Sequence, residues 1–210
     1  MTQDDFAARA AKWDQQPERL ATARAFLEAS AKLAGKRLEG RVLDFGAGTG
    51  LIGLPLAARA RRVDFVDTSE GMLEVLRGKI AAQGLANTAT HLGELGELDE
   101  LSLPQGGFDA ILTNNALHHV ADIPPLLARL AALLAPGGAL LVGDVAEEDG
   151  SFHAPNLVPH NGFRPAAVEA MLEAEGLRVA ATVQHHTIRK PCHDGVTRDF
   201  PQFLILAEKP

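Results

Sequence analysis

An α/β fold, doubly wound around a mainly parallel sheet, is predicted by three features of this sequence. Apolar and β-branched runs alternate with segments of helical period. That alternation implies strands covered by helices on both faces of one sheet. The first run also passes straight into a glycine turn and a helix, in "VLDFGAGTGL" at 42–51.

At 210 residues the chain is most simply one domain, long enough to bury a core. Apolar residues at 46% and charged residues at 22% are ordinary for a soluble globular protein. A net charge of −7 argues against an electrostatic grip on nucleic acid or an anionic membrane. No apolar run approaches the ~18 residues of a membrane span. The start, "MTQDDFAARA", has no basic segment followed by an apolar one, so no secretion signal is expected. The single cysteine, Cys192, excludes an internal disulfide and fits a reducing compartment. The expectation is a cytoplasmic protein, a monomer or homodimer, with no nucleic-acid or membrane partner.

The elements follow in order. Pro17 to Ala34 reads as a helix with Leu20, Ala23, Leu27 and Ala31 on one side. The first ~35 residues suit either a lid over a cleft or a packed extra helix. "RVLDF", 41–45, is the first strand, followed by a helix over 49–60 with Pro55 early in it. "VDFVD", 63–67, is the second strand; a helix over 69–83 follows, with Met72, Val75, Leu76 and Ile80 on one face. "NTATHL", 87–92, and "FDAILTN", 108–114, are the third and fourth strands. The next helix turns Ile123, Leu126, Leu127, Leu130, Leu133 and Leu134 to the core. Pro124 and Pro125 fit its first turn, and "PGG" at 136–138 ends it. "ALLVGDV", 139–145, is the fifth strand. Residues 146–163 show turn residues without a period, and a loop this long points to function. A helix from Pro165 to near Gly176 and strands near 177–185 and 200–207 complete the chain.

The chemistry starts at the glycine turn. Gly46, Gly48 and Gly50 let a ligand approach the backbone. The second strand ends in Asp67, placed to accept hydrogen bonds from both hydroxyls of a ribose. A dinucleotide fingerprint is spaced G-x-G-x-x-G, but here the third glycine comes one residue early, and Leu51 takes its place. No lysine follows the glycines, which excludes a phosphate cradle of the G-x-x-x-x-G-K-[ST] kind. Asp44, at the mouth of the turn, repels a pyrophosphate but favours an ammonium or sulfonium cation. S-adenosyl-L-methionine, with S-adenosyl-L-homocysteine as product, meets all three conditions.

"VLDFGAGTG" with "VDTSEGML" resembles the first two motifs of the class I S-adenosylmethionine-dependent methyltransferases. "GGFDAILTNNALHHV" and "LLAPGGALLVGD" resemble that family's fourth- and fifth-strand motifs, and "HNGFRPAAVEAMLEAEGL" resembles a C-terminal pattern of its small-molecule branches. The resemblance is strong over 40–145 and implies a Rossmann-like, seven-stranded sheet of order 3-2-1-4-5-7-6, with strand 7 antiparallel. It implies one methyltransferase domain over 1–210: an N-terminal helical lid or extension at 1–36, a cofactor-binding core at 37–145, and a substrate-side loop with C-terminal helix and strands at 146–210. By position, Asp44, Phe45, Gly46, Ala47 and Gly48 line the methionine part of the cofactor. Asp67 holds the ribose, with Thr68 and Met72 beside the adenine. Gly93 and Glu94 stand nearest the acidic position that recognises the adenine amino group, although "HLGELGELDEL" offers several registers. Asn114 faces cofactor and substrate.

Each residue also has a plainer reading. The glycines suit a purely structural turn, and Asp67, Thr68 or Ser69 suits a helix N-cap. His118 and His119 sit in "LHHV", which the resemblance makes more structural than catalytic. His153 and His160 lie in the long loop, as substrate contacts or as solvated histidines. Trp13 packs, or covers the cofactor from the lid. With Asn115 these are the substrate-side candidates. His185, His186, Cys192 and His193 match no zinc spacing, and no metal is expected.

The implied reaction is in-line methyl transfer to a small-molecule substrate, with no universal catalytic residue required. "NNAL" stands where a [ND]-P-P-[YFW] motif would mark adenine or glutamine-amide methylation. Two other classes remain: a non-catalytic cofactor-binding or partner subunit, which the intact turn and Asp67 oppose, and a nucleotide-dependent oxidoreductase, which the glycine spacing opposes.

Overall fold

Seven strands form one sheet of order β3-β2-β1-β4-β5-β7-β6 in the computed structural model, which describes residues 10–93, 103 and 105–210. The strands are β1 (Arg41–Phe45), β2 (Arg62–Asp67), β3 (Thr88–Leu92), β4 (Phe108–Asn114), β5 (Leu134–Val145), β6 (Arg178–Pro191) and β7 (Thr197–Glu208). β1 to β5 pair in parallel, and β7 runs antiparallel to both β5 and β6. The expected order and the reversed last strand are both present.

Helices cover both faces, because each central strand is buried on both sides. Helix α1 (Pro17–Ala34), α2 (Gly53–Ala57) and α3 (Glu70–Gln83) pack on one face, over Val42, Phe65, Leu112 and Leu141. α4 (Ile123–Leu133) and α5 (Pro165–Ala174) pack on the other, over Leu43, Ile111, Leu140 and Ile205. Every residue assigned to the core face of α4 is buried, but the helix stops at Leu133: Leu134 opens β5, and "PGG" at 136–138 lies within that strand.

Three local departures have physical causes. The helix expected over 49–60 shrinks to Gly53–Ala57. The Gly53 N–H goes to the Asp44 carboxylate at 2.8 Å, which delays the helix start. At the other end, Asn87 Nδ2 donates to the carbonyls of Ala57 and Ala60 and closes the helix early. The buried face of α1 is Thr22, Ala23, Phe26, Ser30 and Ala34, while Leu20 is exposed. Phe26, with the larger apolar area, wins the inner position. β6 and β7 extend into a long hairpin arm, closed by the Cys192 N–H to Val196 carbonyl bond of 2.9 Å. Backbone pairing and a small cluster of Val145, Ile188 and Phe200 hold that arm, which carries too few apolar residues to be read as strand.

α1 is a packed helix. Gly143 in β5 lets it come close: a Cβ there would lie 2.6 Å from both Phe26 Cε2 and Asn114 Oδ1.

Candidate functional site

The glycine turn hangs on the end of β2. The N–H groups of Gly46 and Ala47 donate to the Val66 carbonyl at 2.9 and 3.0 Å. The Gly48 N–H donates to Asp67 Oδ2 at 2.7 Å, and the Ser69 N–H donates to Asp67 Oδ1 at 2.8 Å. Asp67 therefore joins the turn after β1 to the start of α3, while Ser69 caps that helix by accepting from Met72 N–H. Capping is thus the work of Ser69, and both Asp67 oxygens keep further lone pairs for a diol. Burial raises the Asp67 pKa, and its backbone hydrogen bonds oppose that.

Gly46 and Gly48 have φ of +71° and +53°. A Cβ on Gly46 would lie 2.5 Å from Ala116 Cβ, whereas one on Gly48 would meet nothing within 4 Å. One glycine is required by packing, and the other borders open space.

Asp44 is 2% exposed, and burial pushes its carboxyl up to about 7. The Gly53 N–H opposes this and the charge of Asp67 adds to it. Because the folded value is raised, the associated stability is present at acidic pH and lost as pH rises through about 7.

Residues 10–15 form a 3₁₀ turn that reaches the site. Asp14 Oδ1 accepts from the Thr49 hydroxyl at 2.5 Å, and Asp14 also pairs with Lys79 of α3. Lys79 Nζ in turn donates to the Thr49 carbonyl at 2.7 Å. Trp13 is half-buried beneath the Arg19 guanidinium, 3.1 Å from its ring centroid.

At the ends of β4 and β5 a second polar group gathers. Asn115 adopts φ +53°, and its N–H donates to the Gly143 carbonyl at 2.9 Å. His118 is buried, with Nδ1 2.6 Å from Asp144 Oδ1 and Nε2 2.9 Å from His153 Nε2. Asp144, fully buried, also accepts from the N–H groups of Val145 (2.7 Å) and His118 (3.2 Å). The His119 ring lies tilted against His118, with centroids 4.2 Å apart, and burial, then the two neighbouring histidines, lowers its pKa well below the usual range. The loop 146–163 delivers His153. Its base is closed by the Glu147 N–H to Phe163 carbonyl bond, and its middle is held by the Lys190 ammonium over the Phe152 ring at 3.9 Å.

The structure thus brings most sequence-predicted residues to the carboxyl ends of adjacent strands. Asp44 and Phe45 close β1, and Asp67 closes β2 with exposed Thr68 next to it. Met72 is 1% exposed in α3, and the Gly93 N–H donates to the Asp67 carbonyl at 3.1 Å. Asn114 closes β4, with Oδ1 buried and without a partner among the described residues. Glu94 lies outside the described residues. The His160 N–H donates to the His118 carbonyl at 3.3 Å, and its ring lies against Phe163. His185 and His186 do not join this group. A register shift in β6 lies between Gln184 and His186, and the His185 ring packs on Phe26 at 5.6 Å. Sequence reasoning passed over Asp144, although an acid at the tip of "ALLVGDV" was a readable signal. It also passed over Asp14, Thr49 and Lys79, whose contacts carry no local pattern.

Comparison with known proteins agrees with this architecture. Residues 42–138 match the family model described as a methyltransferase domain. An uncharacterized methyltransferase of Schizosaccharomyces pombe is 28% identical over 156 residues, covering 68% of this chain and 55% of that protein. A ubiquinone biosynthesis O-methyltransferase of a Caulobacter species is 38% identical over 104 residues, covering 49% of this chain and 39% of that one. The chain thus spans about half the length of the curated relatives it matches first. A crystal structure of a SAM-dependent methyltransferase from Aquifex aeolicus superposes with a TM-score of 0.74 at 22% identity, covering 97% of this chain and 98% of that one. Among the described residues no helix is long and apolar enough to cross a membrane. Residues 42–138 thus carry a methyltransferase-domain match, and the whole chain, with its reversed seventh strand, has the fold seen in SAM-dependent methyltransferase structures.

Proposed function

We propose that this protein transfers a methyl group from S-adenosylmethionine to a small-molecule acceptor by in-line displacement. The observation that carries the proposal is the turn anchored by Asp67, with open space beside Gly48 and a buried carboxyl at Asp44. These residues fit the cofactor: Asp67 has acceptor capacity for a ribose diol, and Asp44 supplies an anion for its ammonium. The cofactor brings an electrophilic sulfonium methyl. The chain's own task is to align the acceptor and exclude water, worth up to ~7–11 kcal/mol in ideal cases. In this reading Thr68 and Met72 border the adenine, and Asn114 stands between cofactor and acceptor. The acceptor side is lined by Asn115, His118, His119, His153 and His160. Residues 10–15, with Trp13 and the Asp14–Thr49 contact, act as the cover, carried by the packed helix α1. The similarity to a ubiquinone biosynthesis O-methyltransferase and the net charge of −7 support a small molecule over a nucleic acid.

The test supplies methyl-labelled cofactor with phenols, carboxylates, thiols and amines, beside tRNA and a basic peptide. Label in a small molecule, with release of S-adenosylhomocysteine, is the expected result. Label confined to tRNA or peptide would overturn the acceptor class. Tight S-adenosylhomocysteine binding with no transfer to any acceptor would favour the non-catalytic subunit.

Asp44 makes the affinity depend on pH. A cationic tail binds the ionised carboxylate better, so binding draws a proton off Asp44 whenever pH lies below about 7. Affinity for S-adenosylhomocysteine should therefore rise with pH and level off above about 7. At pH 6 it should be about tenfold weaker than at pH 8. Calorimetry reads this directly, and Asp44→Asn should flatten the profile. A flat profile for the unaltered protein would remove Asp44 from contact with the cation.

A further inference from the structure

We propose that His118, His119 and His153 form a binding site for one divalent transition-metal ion of the zinc class, with Asp144 orienting the innermost ligand. The site shares its three histidines with the proposed acceptor wall, but its test does not depend on methyl transfer, and it departs from the sequence expectation that no metal binds.

The ligating nitrogens of these three side chains all lie within 4.8 Å of one another. They come from two places in the chain: the turn after β4 and the loop 146–163. His118 is 1% exposed, and its Nδ1 stands 2.6 Å from Asp144 Oδ1. With Nδ1 directed at Asp144, Nε2 is the ring nitrogen left to face His153 Nε2, at 2.9 Å. A carboxylate behind a histidine is the usual outer support of a metal ligand, fixing the tautomer and raising its basicity.

Charge points the same way. Asp144 is fully buried, and no arginine or lysine among the described residues pairs with it; its ion-pair partner is His118. A cation held in front of His118 would therefore have the Asp144 carboxyl directly behind its innermost ligand. The ligand set selects the ion: three imidazoles, with no carboxylate joining them among the described residues, suit zinc, copper, nickel or cobalt, and suit calcium and magnesium poorly. Three protein ligands also leave a fourth position for water or another small ligand.

Tetrahedral zinc with Zn–N of about 2.05 Å sets its nitrogens about 3.3 Å apart. The 2.9 Å separation of the two Nε2 atoms must widen slightly, and the widest separation in the group, within 4.8 Å, must close. His153 is half-buried on the loop 146–163, and movement of that loop supplies the adjustment. Metal binding would clip that loop to the sheet.

The experiment adds Co²⁺ alone to the metal-free, full-length protein and follows its visible absorption, with Zn²⁺ displacement by calorimetry. One equivalent bound, with the bands of a nitrogen-ligated low-coordinate ion, is expected. His153→Ala should weaken the site at least ~100-fold, and Asp144→Asn by about 10- to 100-fold. His193→Ala, in the hairpin arm, should leave it unchanged. Circular dichroism of each variant reports folding separately; should His153→Ala fail to fold, His119→Gln takes its place. No saturable Co²⁺ binding, or binding that survives loss of His153 or is lost with His193, would overturn the proposal.

Discussion

Asp67→Ala should lower affinity for S-adenosylhomocysteine at least ~100-fold and also reduce the stability of the ligand-free protein. The first effect follows from two hydrogen bonds to a charged group, each worth about 1.5–3 kcal/mol, against 1.4 kcal/mol per tenfold. The second follows from what the side chain already holds. Its two oxygens accept from Gly48 and Ser69, so removal leaves two N–H groups without partners at the turn. Each group so exposed costs about 1–3 kcal/mol unless water reaches it, which the partial exposure of Asp67 allows. Calorimetry and urea unfolding separate the two quantities. Unchanged affinity in a folded variant would end the ribose assignment, whatever happened to stability.

Two glycines in the same turn should respond in opposite ways. Gly46→Ala places a Cβ 2.5 Å from Ala116 Cβ at a φ of +71°. Backbone strain of about 1–3 kcal/mol and overpacking of about 1–3 kcal/mol add, so the stability loss should reach about 2–6 kcal/mol. Gly48→Ala meets nothing within 4 Å, at a φ of +53°, and bears only the strain. Its main effect should fall on cofactor affinity, because the added methyl enters the space proposed for the ligand. Thermal unfolding read beside calorimetry checks the contrast. If Gly48→Ala kept full affinity while Gly46→Ala stayed stable, the turn would be neither packed nor bound as argued.

The contrast also shows what a sequence can report. Gly46 and Gly48 look alike in "GAGTG", and the spacing rightly marks a turn with backbone conformations that favour glycine. That one abuts Ala116 and the other open space depends on the connection after β4, some seventy positions away. The strands β1, β2 and β4 and the face of α4 were legible because burial on a regular element leaves a period in the chain. α2 was misjudged in length because its limits are set by side chains from elsewhere, Asp44 and Asn87. The hairpin arm was underestimated because backbone pairing needs no apolar pattern.

By itself, the sequence determined the layered α/β architecture, the glycine turn after β1 and the carboxylate at the tip of β2. Each of these is local: a period, a φ preference or a residue at the end of a run. Only the tertiary structure decided that Asp67 accepts from Gly48, that Asp14 reaches Thr49, and that Asp144, His118 and His153 stand in one line. Those contacts join residues 19 to 35 positions apart, and strand order and loop closure, which no local pattern encodes, bring them together.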